Sequence, residues 1–204
     1  MTHNKIKNKY NLTSKLYNIL DYPFETLRYK KISGKIWKLG NGRILDAGMG
    51  TGRNIPFYPK NSDIYGIDIS NGMLDKSRKR AEKLKRNVHV QKMDIASTNF
   101  PDNYFDTIVA TFLFCVMPDK LQPKALKEIK RICKSNGRII MLGYEYSEKP
   151  FRRLFMKLLS PYVEFVYGAR FDRKRIEYVK KENFKILENL YVHQDIMRMI
   201  VIQP

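Results

Sequence analysis

The stretch Ile44-Leu45-Asp46-Ala47-Gly48-Met49-Gly50-Thr51-Gly52-Arg53-Asn54 decides how this chain is read. Arg43 to Ala47 is a short apolar run of the kind that forms a strand covered on both faces. Three glycines at alternate positions then let the backbone turn sharply and approach a ligand closely. A helix is expected from about residue 52, with its free amides facing that ligand. The spacing is G-x-G-x-G. The dinucleotide fingerprint G-x-G-x-x-G wants a small residue where this chain has Arg53. A second strand-like run, Ile64-Tyr65-Gly66-Ile67, ends in Asp68, about 20 residues beyond the first glycine, where a carboxylate can accept two ribose hydroxyls. A third run, Val88 to Met93, ends in Asp94.

Working outward, the pattern alternates. Strands are expected at 43–47, 63–68, 88–93, 105–111 and 138–144, with helices at 71–85 and 120–134, and such alternation implies a parallel sheet with helices on both faces. Upstream, Leu12, Leu16, Ile19 and Leu20 fall at helical spacing, and a second helix runs from Phe24 to Trp37 behind Pro23. Downstream, Phe151, Leu154, Phe155, Leu158, Leu159 and Tyr162 form one apolar face, with Arg152, Arg153 and Lys157 opposite. That helix is expected to end or kink at Pro161. A short helix over 173–181 leads to two strands, 186–192 and 197–202, joined by a turn at His193-Gln194-Asp195. The organisation expected is one domain over 1–204: a helical cap (1–40), a core (41–147), an amphipathic helical insertion (148–182) and a terminal strand pair (183–204).

The 204 residues, 43% of them hydrophobic, suffice for one substantial core. No apolar run is long enough to span a membrane and the first residues lack the apolar centre of a secretion signal, so a cytoplasmic location is expected. Cys115 and Cys133 lack the paired spacing of a zinc or redox motif, and no metal is expected. The formal charge is +19. It is clustered: residues 1–42 carry nine basic and two acidic side chains, 76–92 eight and one, 149–181 ten and three. Such a field favours polyanions, although a basic helix face is often only solvated.

The order of these blocks resembles the class I S-adenosylmethionine-dependent methyltransferases, and within them the quinone C-methyltransferases and bacterial phosphatidylethanolamine N-methyltransferases. The residues that carry the resemblance are Ile44 to Asn54, Gly66 to Leu74, Phe100 to Asp106, and Leu126 to Ile132 running on to Asn136-Gly137-Arg138. It implies a Rossmann-like, seven-stranded, mostly parallel α/β sheet with a terminal antiparallel strand, and S-adenosyl-L-methionine as cofactor. Carried over by position, Asp46 would meet the cofactor's amino acid tail, directly or through water, and Gly48, Gly50 and Gly52 would shape the floor. Asp68 would bind the ribose, Ile69 and Met73 would flank the adenine, and Asp94 with the Ile95 amide would read its edge. Thr111, Phe112, Leu113 and Phe114 would supply backbone contacts and one wall of the acceptor pocket.

Tyr17, Tyr22 and Tyr144, with Glu145 and His193, are candidates for orienting the acceptor. Tyr17 is favoured because the resembled proteins carry a tyrosine in the helix that covers the cofactor. They commonly have a Glu-His pair where this chain has Gly143-Tyr144, so the acceptor is not fixed by the resemblance. The expected function is methyl transfer to a lipid-like acceptor at an anionic membrane surface, with the amine of phosphatidylethanolamine favoured. A quinone carbon, a small thiol or another amphipathic metabolite is the second reading. RNA methylation follows, without an RNA-binding signature to support it, and then cofactor binding without catalysis. The oligomeric state stays open.

Overall fold

The computed structural model describes residues 30–204. The two expected amino-terminal helices therefore lie outside the described residues, except for α1 (Lys30–Trp37), whose Ile32, Ile36 and Trp37 are buried. The core elements follow in chain order: β1 (Arg43–Ala47), β2 (Asp63–Asp68), α2 (Asn71–Lys83), β3 (His89–Lys92), β4 (Phe105–Thr111), α3 (Leu113–Val116), α4 (Gln122–Ile132) and β5 (Cys133–Tyr144). After them come α5 (Pro150–Tyr167), α6 (Arg175–Lys181), β6 (Lys185–His193) and β7 (Met197–Gln203).

Seven strands form one sheet in the order β3-β2-β1-β4-β5-β7-β6. Five are parallel, and β7 runs antiparallel between β5 and β6. The sheet is the Rossmann-like one that the resemblance implied. Its central strands are apolar on both faces because helices cover both. Ile44, Val109, Ile140 and Leu142 pack with Ile36 and Trp37 of α1 on one side. Leu45, Ile108, Ile139 and Met141 pack with Leu126 and Ile129 of α4 on the other. The chain builds outward from β1 to β3 and then crosses back to β4. Such a reversal opens a crevice beyond the carboxyl ends of β1 and β4.

Three local expectations are corrected. No α-helix follows the glycine turn: residues 51–54 continue as turns into a 3₁₀ segment, Ile55–Phe57. Pro56 lacks an amide for a longer helix, and Gly52 has φ of +76°. The helix expected to reach residue 134 ends at Ile132, and β5 begins at once, with Cys133 opposite Phe105 and a register shift before Arg138 meets Thr107. Pro161 does not end α5, which runs on to Gly168, whose φ of +69° caps it. Pro161 stands on the exposed side of the helix, where water can satisfy the carbonyl it frees.

Candidate functional site

The turn after β1 is fixed from below. The Gly48 and Met49 amides both donate to the Ile67 carbonyl of β2, at 2.9 and 3.0 Å, and the Gly52 amide donates to Met49 O at 3.0 Å. Gly48, Gly50 and Gly52 all have positive φ, between 56° and 76°. At Gly50 the requirement is conformational alone, since a Cβ there would meet nothing within 4 Å and would project into open space. The turn thus leaves an open shelf lined by bare backbone, and Gly50 is part of a cavity that also takes in the carboxyl ends of β2 and β4.

Asp68 closes β2 at the rim of this shelf. Its Oδ2 accepts from the Gly50 amide at 3.1 Å and its Oδ1 from the Ser70 amide at 2.9 Å. Burial raises its pKa, and the donated amides of Ser70, Gly50 and Ile69 oppose that rise. Asp94, beyond β3, accepts from the Ala96 amide at 2.9 Å. Two carboxylates at adjacent strand ends therefore face one cavity, each held by backbone donors.

Asp46 is different. It is fully buried, and its Oδ2 accepts from Tyr58 Oη at 2.6 Å and Asn54 Nδ2 at 2.9 Å. Its Oδ1 has no hydrogen-bond partner among the described residues. Burial pushes its pKa up to about 6 against the two donated hydrogen bonds. Asn54 Nδ2 also donates to Thr111 Oγ1 at 3.1 Å, so one amide ties β1 to β4 across the switch point.

Of the residues expected from sequence, Gly48, Gly50, Asp68, Ile69, Met73, Asp94, Ile95 and Thr111 line the one cavity. Asp46 and Gly52 do not line it; Asp46 stands behind Asn54 and Thr111, which do. Tyr144 also stands back, its ring stacked at 5.0 Å on Phe112, which forms the wall. Tyr17 and Tyr22 lie outside the described residues. Glu145 is claimed by two arginines, Arg175 Nη2 at 3.0 Å and Arg198 Nε at 2.9 Å, which removes it as a freely available base. His193 ends β6 opposite Met197, away from the cavity lining.

Sequence reasoning gave no role to Arg53 or Asn54, and it named Phe112 without its backbone conformation. Arg53 had registered only as the residue that spoils a dinucleotide fingerprint, yet it lines the cavity beside the shelf. Phe112 takes φ of +58°. A bulky residue in the left-handed region is strained, and such strain concentrates at functional sites. Among the described residues no cluster of His, Cys, Asp or Glu could hold a metal ion.

Residues 44–137 match the family described as a methyltransferase domain. The match covers a little under half of the chain and takes in the glycine turn, Asp68 and Asp94. Similar proteins include a phosphatidylethanolamine N-methyltransferase of Cereibacter sphaeroides, 34% identical over 110 residues, which are 53% of this chain and 53% of that one. A ubiquinone/menaquinone biosynthesis C-methyltransferase of Vibrio cholerae is 37% identical over 129 residues, 59% of this chain and 46% of its own. The chain thus spans about half the length of these two curated relatives. In fold it is similar to a protein from Pyrococcus horikoshii, with a TM-score of 0.70 at 19% identity, covering 90% of this chain and 91% of that one.

Every residue that lines the cavity falls inside the matched span, from Gly48 to Leu121. Tyr144, α5 and the β6–β7 pair fall outside it. Among the described residues, no helix is long and apolar enough to cross a membrane.

Proposed function

We propose that this methyltransferase transfers the methyl group of S-adenosylmethionine to the amine of a lipid-like acceptor of the phosphatidylethanolamine type. The observation that carries the reading is the character of the cavity's two ends. The β1–β3 end has a bare-backbone shelf and two backbone-held carboxylates, while the β4 end is apolar, with Phe112, Leu113, Val116, Met117, Pro118 and Leu121.

The chain's own groups fit an adenosyl cofactor. Asp68 would accept ribose hydroxyls, Ile69 and Met73 would flank an adenine, and Asp94 with the Ile95 amide would meet its edge. Gly48, Gly50 and Arg53 would receive the amino acid tail, Arg53 opposite its carboxylate. Thr111 would add a contact from the end of β4. The orphaned Oδ1 of Asp46 supplies negative potential beneath the shelf, on the side where an ammonium would be drawn. When bound, the cofactor supplies a methyl group on a sulfonium, open to in-line displacement.

For such a displacement the protein has to align the nucleophile and exclude water, and alignment alone can supply several kcal/mol. The apolar β4 end does both for an amine. Burial there, in a chain of net charge +19, disfavours the ammonium form and presents the free lone pair. The six residues of that end offer no titratable side chain. This suits an amine, which brings its own lone pair, better than a ring carbon, which has to be activated by proton removal. The similarity to a phosphatidylethanolamine N-methyltransferase supports the same choice, and the similarity to a quinone C-methyltransferase keeps the competing one in view.

The test is methyl transfer to purified acceptors in detergent micelles: phosphatidylethanolamine, the same lipid with its amine acylated, and a demethylated menaquinol. The reading expects mass gains of one or more methyl groups on the free amine alone. Methylation of the quinol instead would replace the acceptor while leaving the cofactor site intact. Methylation of none of them would remove the lipid reading.

A further inference from the structure

Asp46 alternates along β1 with Leu45 and so shares the face of Ile44, the face that Trp37 of α1, Ile55 and Tyr58 cover. It is fully buried there, and among the described residues no Lys or Arg pairs with it, although the chain carries 39 of them. A carboxylate taken out of water among apolar side chains gives up its charge unless donors hold it. Here the donors are neutral. Tyr58 Oη lies 2.6 Å from Oδ2 and Asn54 Nδ2 lies 2.9 Å from the same oxygen. Burial raises the Asp46 pKa to about 6, the Tyr58 hydroxyl and then Asn54 oppose that rise, and the charge of Asp68 adds to it.

Tyr58 is itself fixed at both ends. Its ring packs on Trp37, with centroids 4.4 Å apart, and its carbonyl accepts from Arg86. The residue is buried. Because both donors meet on Oδ2, the carboxylate is pinned by one oxygen, and Oδ1 has no hydrogen-bond partner among the described residues. A phenol stabilises the negative charge without cancelling it, whereas a lysine or arginine in its place would neutralise the potential beneath the shelf. Asn54, the second donor, lines the cavity, so the pinned carboxylate stands one side chain behind it.

We propose that Tyr58 is a positioning residue of the cofactor site: its hydroxyl keeps Asp46 charged, with Oδ1 unclaimed, beneath the ammonium of the cofactor's amino acid tail. The role rests on S-adenosylmethionine as the cofactor and is independent of which acceptor is methylated.

The test is Tyr58→Phe, which removes one oxygen and keeps the ring on Trp37. S-adenosylhomocysteine affinity, measured by titration calorimetry from pH 5 to 8.5, gives the midpoint at which binding is lost on acidification. The wild type should lose affinity below about pH 6. The variant should lose it at a midpoint about one pH unit or more higher, binding about threefold or more weakly than wild type at pH 6.5 and within about twofold of it at pH 8.5. In an Asp46→Asn background, Tyr58→Phe should leave the pH profile unmoved. The carbon-13 carboxyl resonance of Asp46, assigned by its loss in Asp46→Asn, reads the same midpoints in the free proteins. In the wild type, saturation with S-adenosylhomocysteine should move that resonance's midpoint down, because a nearby ammonium favours the charged carboxyl, and an unmoved midpoint would overturn the proposal even if Tyr58→Phe did not fold. A Tyr58→Phe protein that keeps the wild-type midpoint, or binds more weakly by one factor at every pH, would overturn the role and leave the cofactor site standing. A wild type that binds at no pH, while the resonance still differs between the two free proteins, would remove the cofactor reading and this role with it.

Discussion

The three aspartates show how much a residue's place in a strand reveals. Asp68 and Asp94 were legible because a carboxylate at the end of a parallel strand, one step past an apolar run, has to emerge at the carboxyl edge of the sheet. Asp46 was legible as a position and not as an environment. The side chains that hold it come from Asn54 and Tyr58, across a turn whose path no periodicity reveals. Phe112 was read as the start of a wall, but its left-handed backbone runs against every propensity of an aromatic residue.

Asp46 gives a pH prediction. Its pKa of about 6 is raised above the usual carboxylate value, so the folded state binds the proton more tightly than the unfolded state does. Its contribution to stability is therefore fully present at low pH and is lost as pH rises through about 6. Asp46→Asn should gain stability over the wild type between pH 4 and pH 8, by about 2 kcal/mol, in urea melts at the two pH values. Cofactor affinity should run the other way. S-adenosylhomocysteine binding by the wild type should weaken below pH 6, as the charge beneath the shelf is neutralised, and titration calorimetry across pH 5–8 would show it.

At the scale of elements, the strands and the long helices were legible because their apolar residues recur at the right period. The failures lie where a single contact overrides a pattern. Pro56 and the glycine turn cancel the helix expected at 52, and β5 starts early because Cys133 pairs with Phe105 across the sheet. Nothing in the pattern showed that Arg175 of α6 would be buried, with its guanidinium against Gly143 and Glu145. A methyl at Gly143 would collide with that guanidinium and stand 2.7 Å from Cys115 Sγ. Gly143→Ala should therefore cost about 1–3 kcal/mol of unfolding free energy in urea.

A second element-scale prediction concerns α4. Glu128 accepts from Arg131 Nη2 at 2.6 Å and from Thr98 Oγ1 at 2.6 Å, clasping α4 to the segment before β4. The Arg131 guanidinium, and then the Thr98 donors, hold its carboxyl at about 2. A depressed carboxylate stabilises the fold above its usual pKa and loses that contribution as pH falls from about 4.5 toward 2. Arg131 is about one-third exposed, which screens the pair, so Glu128→Gln should cost about 1–2 kcal/mol at pH 7. The difference from wild type should vanish near pH 2 in acid-unfolding curves.

For the whole molecule, the sheet and the site are one fact: the reversal of strand order between β3 and β4 makes the crevice, and the glycine turn, Asp68 and Asp94 stand where the strands enter it. This much was legible in residues 44–137, the span that matches the methyltransferase domain. What lies beyond that span was less legible, because the pairing of Tyr144 with Phe112 and the outward face of α5 depend on tertiary placement. The sequence pattern for residues 150–167 is the same whether the apolar stripe faces in or out. The most direct measurement is titration calorimetry of the wild type and Asp68→Ala with S-adenosylhomocysteine, beside circular dichroism of both. Saturable one-site binding by the wild type, weakened about 30-fold or more in a variant whose spectrum is unchanged, is the predicted result, the loss corresponding to about 2 kcal/mol of charge-assisted hydrogen bonding. No binding by the wild type, or equal affinity in the two proteins, would contradict a cofactor site built on the ends of β1, β2 and β4.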